Sequence, residues 1–253
     1  MDISPLQFLI VCPMVFLAGL VDAVAGGGGL ISLPAYLIAG LPVHDAIGTN
    51  KISSCMGTGL TTFRYARRGY IPWKQAGFYI AAAFAGASVG VKISLMISDR
   101  PFKIIMLILL PLVAFVVLRG RVLDRETEPF SPGKTMAIAL ASAFVIGVYD
   151  GFYGPGTGTF LILLMTGAAH MEIRRANGVT KIINFTTNLT SVFLFAASGN
   201  IVPLLGLIAG LFNIAGNYLG GNLFVQGGSR AVKPIMLAVL CIFFVRVLWE
   251  LAG

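Results

Sequence analysis

Two carboxylates, Asp22 and Asp150, stand in apolar surroundings, and each is followed within a few residues by glycines. The first context reads GLVDAVAGGGGLISLP (Gly19–Pro34) and the second GVYDGFYGPGTG (Gly147–Gly158). A buried charge is costly unless it is paired, and each glycine destabilises a helix by ~1 kcal/mol. A helix broken at such a run frees backbone N–H groups, lets a ligand approach the main chain, and presents partial positive charge at the next helix start. That is the chemistry of anion binding. The candidate contacts are Gly26, Gly27, Gly28 and Gly29 in the first break, and Gly154, Gly156, Thr157 and Gly158 in the second. Close helix packing explains small residues four apart, as at Gly86/Gly90 and Gly216/Gly220. It does not explain four adjacent glycines, which face all round a helix.

The aspartates admit two readings. Each either accepts backbone N–H bonds from its own glycine tip and locks it, or binds a proton coupled to transport. A second pair of ionisable residues follows in AIGTNKI (Ala46–Ile52) and ANGVTKI (Ala176–Ile182), which hold Lys51 and Lys181. These lysines either snorkel to a membrane interface, stand beside a bound anion, or neutralise the aspartates, with Lys181 on Asp150 as one such pairing. Thr49, Asn50, Thr180, Asn184, Thr187 and Asn188 add a polar stripe beside them, with Asn184 and Asn188 one turn apart on one face. Asp22 and Asp150 are therefore structural or proton-coupling candidates. Thr49, Asn50, Lys51, Thr180, Lys181, Asn184 and Asn188 join the glycines as candidate substrate contacts.

The elements that must position these residues are membrane helices. The chain is 57% hydrophobic with 11% charged residues and a mean hydropathy of +0.89, whereas soluble domains carry about 25% charged residues. Uncharged stretches run over Ile3–Val21, Gln75–Val91, Ile104–Leu118, Thr135–Tyr149 and Ile182–Ser229. A span needs ~20 apolar residues, so the last stretch holds two. The start, MDISPLQF, lacks the basic region of a signal peptide, so the first apolar segment is read as retained.

The sequence is also written twice. FLAGLVDAVAGGG (Phe16–Gly28) aligns with FVIGVYDGFYGPG (Phe144–Gly156) at an offset of 128; two residues are then gained and the offset stays at 130. AGASVG (Ala85–Gly90) faces AGNYLG (Ala215–Gly220), and RPFKIIML (Arg100–Leu107) faces RAVKPIML (Arg230–Leu237). The repeats occupy 1–119 and 134–253, joined by the polar linker 120–133. Each predicts an apolar arm (about 4–24), a glycine break, a short arm (29–40) and three helices near 45–66, 73–96 and 101–119. The second set lies near 176–197, 203–225 and 231–250. The short arm, ~12 residues or about 18 Å, is too short to span comfortably and reads as the return arm of a helical hairpin. Five segments per repeat is odd, so the second repeat is expected to be inverted, giving about eight spans in all.

Loop charge agrees. Arg64, Arg67, Arg68 and Lys74 flank one loop, while its counterpart, 196–203, has no charge; conversely 41–46 has no Lys or Arg, while its counterpart holds Arg174 and Arg175. Positive residues mark the cytoplasmic side, which puts both termini outside and the linker inside. Lys92, Arg100 and Lys103 run against this assignment. The same clustering explains the net charge of +8 without nucleic acid. Cys12, Cys55 and Cys241 lack metal or disulfide spacing, so no metal and no cofactor is expected. His44 and His170 are expected in solvated loops, and Trp73 and Trp249 as interfacial anchors. No HExxH, GxSxG or Ser-His arrangement points to an enzyme.

Together, GLVDAVAGGGGLISLP with AIGTNK, and GVYDGFYGPGTG with ANGVTKIINFTTN, resemble the two signatures of the TauE/SafE sulfite and organosulfonate exporter family. In the second signature Val179 stands where the first has Thr49. The resemblance implies a multi-pass inner-membrane protein, all α-helical, that exports small sulfur-containing anions. Inverted repeats with broken helices also mark secondary transporters with a site between the repeats. The expected activity is alternating access for sulfite, sulfoacetate or another short organosulfonate, with an anion channel as the alternative. The expected partners are the small anion, the lipid bilayer, and a coupling ion (proton or sodium); a homo-oligomer is compatible with the sequence.

Overall fold

The computed structural model describes residues 4–25, 27–119 and 130–223. Gly26, most of the linker, the helix expected near 231–250, Trp249 and Cys241 lie outside the described residues. Within them the chain is all helical, with no strand. The order is α1 (Pro5–Ala25), α2 (Gly29–Ile38), α3 (Val43–Arg67), α4 (Trp73–Leu95), α5 (Asp99–Arg119), α6 (Pro132–Phe152), α7 (Thr157–Leu163), α8 (Ile173–Ala197) and α9 (Pro203–Leu223). A π-helical turn, Leu164–Ala168, prolongs α7. The molecule is a polytopic membrane protein. In a bilayer the backbone must satisfy its own hydrogen bonds, and helices do so locally.

Segments within α1, α4, α6 and α9 are each long and apolar enough to cross a membrane: Pro5–Ala23, Trp73–Leu95, Pro132–Phe152 and Pro203–Gly220. Their outward faces carry exposed large apolar side chains, among them Leu9, Phe78, Phe84, Val145 and Leu211, as a lipid-facing surface requires. The 25-residue helices α3 and α8 carry the polar stripe. They pack on each other and are flanked by α9 and α4 respectively. A polar stripe is tolerated there because it faces protein and not lipid.

The packing partners exchange between the repeats. The long arm α1 lies against α9, and its counterpart α6 lies against α4. Glycines make both contacts close: a Cβ on Gly86 would collide with the Phe144 carbonyl, and one on the equivalent Gly216 with the carbonyl of the equivalent Phe16. Likewise Gly48 abuts the Asn200 carbonyl, and its equivalent Gly178 abuts the Tyr70 carbonyl. The contacts of Gly86 and Gly216 are the small-residue helix packing expected at those positions, whereas Gly48 and Gly178 meet the loops before α9 and α4 respectively.

Two expectations need correction. His44 is not a solvated loop residue: α3 begins earlier than the sequence suggests, at Val43, and takes it in. Its Nδ1 is 3.0 Å from Asp99 Oδ1, its Nε2 is 2.9 Å from the Ser94 carbonyl, and its ring meets Phe102 edge-on. His170 does lie in a loop, but with φ +51° and its ring stacked on Phe130 at 3.9 Å. Trp73 is exposed at the start of α4, as an interfacial anchor requires.

Candidate functional site

Both glycine breaks converge on one small cavity of about 40 Å³. A single water needs roughly 10–15 Å³ of such space, so the cavity suits a few waters or one small oxyanion. Gly27, Gly28 and Gly29 line it from the first break, and Gly154, Gly156, Thr157 and Gly158 from the second. The second break turns on left-handed glycines, φ +103° at Gly154 and +83° at Gly156, a region side chains disfavour. Helices α2 and α7 start at these breaks, so both short arms begin at the cavity wall.

The charged residues cross between the repeats. Lys51 on α3 is 2% exposed; its Nζ donates to the Asp150 carbonyl at 2.6 Å and lies 2.8 Å from Asp150 Oδ1. Lys181 on α8 instead meets Asp22 Oδ2 at 3.4 Å. The pairing of Lys181 with Asp150 does not form, because each lysine reaches the hairpin of the opposite repeat. Snorkelling is excluded for both, since both side chains end on a carboxylate inside the protein.

Asp150 locks its own tip, through a side chain where the sequence suggested backbone N–H groups. The Thr157 hydroxyl, at 2.7 Å from Asp150 Oδ1 and 2.6 Å from the Gly154 carbonyl, ties the loop together. The other carboxylate oxygen, Asp150 Oδ2, is buried and has no partner. Asp22 and Asp150 both face the cavity.

Of the polar stripe, Asn50, Asn184 and Asn188 line the cavity, with Lys51 beside them. Asn188 Nδ2 donates to Asn184 Oδ1 at 3.0 Å, which fixes the two amides as a unit. Thr49, Thr180 and Lys181 are buried but do not line it. Thr49 Oγ1 accepts the Val202 N–H at 2.9 Å, which turns it toward the start of α9. Ala18, Ser32, Ser54, Thr58 and Asn213 line the cavity without having been singled out. The repeat held the signal for two of them: stepping back 130 positions from Asn184 and Asn188 lands on Ser54 and Thr58. Asn213 had none, because its equivalent is Ala83.

The wall is thus polar, with Lys51, Asp22 and Asp150 as its charged residues and amides, hydroxyls and glycine backbone filling the rest; Lys181 balances Asp22 from behind the wall, so the formal charges cancel. Among the described residues no cluster of His, Cys, Asp or Glu is arranged to hold a metal.

Comparison with known proteins gives one family. The family description "Sulfite exporter TauE/SafE" matches residues 11–247. A probable membrane transporter protein, ORF9, of Sinorhizobium is 33% identical over 96% of this chain and 92% of its own length. The probable membrane transporter protein YfcA of Escherichia coli K12 is 25% identical over 99% and 93%. A probable membrane transporter protein of Haemophilus influenzae is 28% identical over 93% and 92%. No solved structure matches the chain.

Proposed function

The chain belongs to the TauE/SafE sulfite exporter family, and from that premise we propose that it is a secondary carrier for a small sulfur-containing anion. Sulfite, sulfoacetate or another short organosulfonate leaves the cell across the inner membrane by alternating access. The observation that carries this reading is the polar cavity between two glycine breaks, crossed by ion pairs that tie each hairpin to the opposite repeat. A site of this kind is bistable: exchanging water access from one face to the other requires only that the hairpins shift relative to α3 and α8.

Because the formal charges cancel, the anion is held by partial charges. The backbone at Gly27–Gly29, the N-terminus of α2, the Asn184 amide and the hydroxyls of Ser32 and Ser54 supply donors in a setting where water is scarce; the Thr58 hydroxyl and the Asn188 amide are already donated to their own helices. Such preorganised donors are worth more there than in bulk solvent. Lys51 is the nearest full positive charge; Lys181 acts on the site through Asp22. A coupling proton has a natural place on Asp150 Oδ2, the carboxylate oxygen without a partner.

The reading includes two inverted repeats, eight spans, and termini on the outer side. The exchanged packing of α1 on α9 and α6 on α4 supports it, because a two-fold axis relating the repeats would produce that exchange. Cysteines at the equivalent positions Arg68 and Ser198, in a Cys-free background, label from opposite sides of intact cells; labelling of both from outside removes the inversion. Transport is tested by counterflow of labelled sulfite or sulfoacetate in proteoliposomes. A carrier gives saturable uptake accelerated by substrate inside the vesicle. Flux that neither saturates nor responds to internal substrate identifies an anion channel.

A further inference from the structure

Away from the cavity, the basic residues of the two repeats meet in a second concave surface. Arg68 at the end of α3 and Lys74 at the start of α4 come from the first repeat; Arg174 and Arg175 at the start of α8 come from the second. These four cations line a groove of about 630 Å³ together with Tyr70, Trp73 and Gln75. All four are exposed. The one acid in the lining, Glu172, is already engaged, accepting the Arg174 N–H at 3.2 Å as the cap of α8. Arg175 donates to Gln75 Oε1 across the join, so the two repeats are fastened along the floor of the groove.

Four like charges held in one concavity repel one another, and an anion with several oxygens relieves that repulsion. Guanidinium groups match phosphate oxygens in bidentate geometry. The surroundings select the source of the phosphate. Trp73, 61% exposed, stands at the rim, and α4 continues from it with Phe78 and Phe84, 58% and 56% exposed, along its outer face. A phosphate in the groove therefore lies at the level of an aromatic interfacial anchor, above a surface made for acyl chains.

We propose that this groove binds the headgroup phosphate of an anionic phospholipid, with the acyl chains lying along α4. The site is independent of the carrier cavity and of its substrate. Nothing comparable exists at the equivalent place in the other half, where Ser198, Leu204, His44 and Asp45 stand at the positions of Arg68, Lys74, Arg174 and Arg175. The lipid is therefore bound on one side of the protein only.

The test uses full-length protein purified in mild detergent and titrated with phosphatidylglycerol, cardiolipin or phosphatidylcholine, bound lipid being counted by native mass spectrometry. Wild type should retain the anionic lipids at least tenfold more tightly than phosphatidylcholine. The variant Arg68→Gln/Lys74→Gln/Arg174→Gln/Arg175→Gln, all at exposed positions, should lose that preference. Lys92→Gln/Lys103→Gln, which removes charge elsewhere, should keep it. Equal loss in both variants overturns the site in favour of general electrostatic attraction. Displacement of the lipid by millimolar inorganic phosphate overturns the lipid as ligand and leaves a free-phosphate site. Retention of the preference in the quadruple variant overturns the groove altogether.

Discussion

The two crossed ion pairs are built from equivalent residues and are not equivalent. Lys51 and Asp150 are 2.8 Å apart with side chains 2% and 3% exposed; Lys181 and Asp22 are 3.4 Å apart with side chains 8% and 18% exposed. The difference traces to the residue that follows the last glycine of each break. In the second repeat it is Thr157, the first residue of α7 after Gly156, and its hydroxyl closes the tip onto Asp150. In the first repeat it is Gly29, the first residue of α2 after Gly28, which has no hydroxyl to offer. Sequence duplication supplied two hairpins, and a threonine in place of a glycine tightened one of them. The second hairpin is the more tightly tied side of the cavity.

The comparison breaks most severely if the tight pair is halved. Lys51→Gln strands a buried carboxylate and should cost about 3–5 kcal/mol, read as a large fall in Tm in detergent. Asp150→Asn/Lys51→Gln should recover most of that loss, and failure to recover would mean that Lys51 stabilises by packing alone. Next, Thr157→Val removes a hydroxyl that bonds a carboxylate and should cost about 1.5–3 kcal/mol; an unchanged Tm would remove Thr157 as the cause of the asymmetry. Lys181→Gln should cost less, about 1–1.5 kcal/mol, between the limits for buried and exposed pairs. A loss as large as that of Lys51→Gln would make the two pairs alike after all. The smallest effect is expected of Ser54→Ala, which should leave stability within about 0.5 kcal/mol of wild type while weakening substrate binding two- to fivefold. Unchanged binding would take Ser54 out of the anion's contacts.

The helices were legible because their signals are local. Apolar runs and the glycine breaks placed α1, α4, α6 and α9 within a few residues, and α2 ends at Ile38 in place of the expected 40. The π-turn at Leu164–Ala168 had no signature of that kind. The site was legible in part. Gly27–Gly29, Gly154, Gly156, Gly158, Asn50, Lys51, Asn184 and Asn188 share one cavity wall, while Thr49, Thr180 and Lys181 lie off it. The choice among Thr49, Thr180 and Lys181 was not accessible, because which face of α3 or α8 meets the cavity depends on crossing helices distant in sequence. The same holds for the lysines: two aspartates and two lysines allow two pairings, and only the exchanged packing decides between them.

The crossing also has a consequence for how the chain is made. Asp22 precedes its partner Lys181 by 159 positions, and Lys51 precedes Asp150 by 99. At a synthesis rate of about 5–20 residues per second, the first carboxylate waits roughly 8–30 s for its lysine, and Lys51 waits about 5–20 s for its carboxylate. During that interval Asp22 and Lys51 are both without their native partners. A charge left in hydrocarbon is costly, so the first half alone is at a disadvantage in the bilayer until the second half supplies Asp150 and Lys181. Assembly of the cavity is a late, whole-chain event.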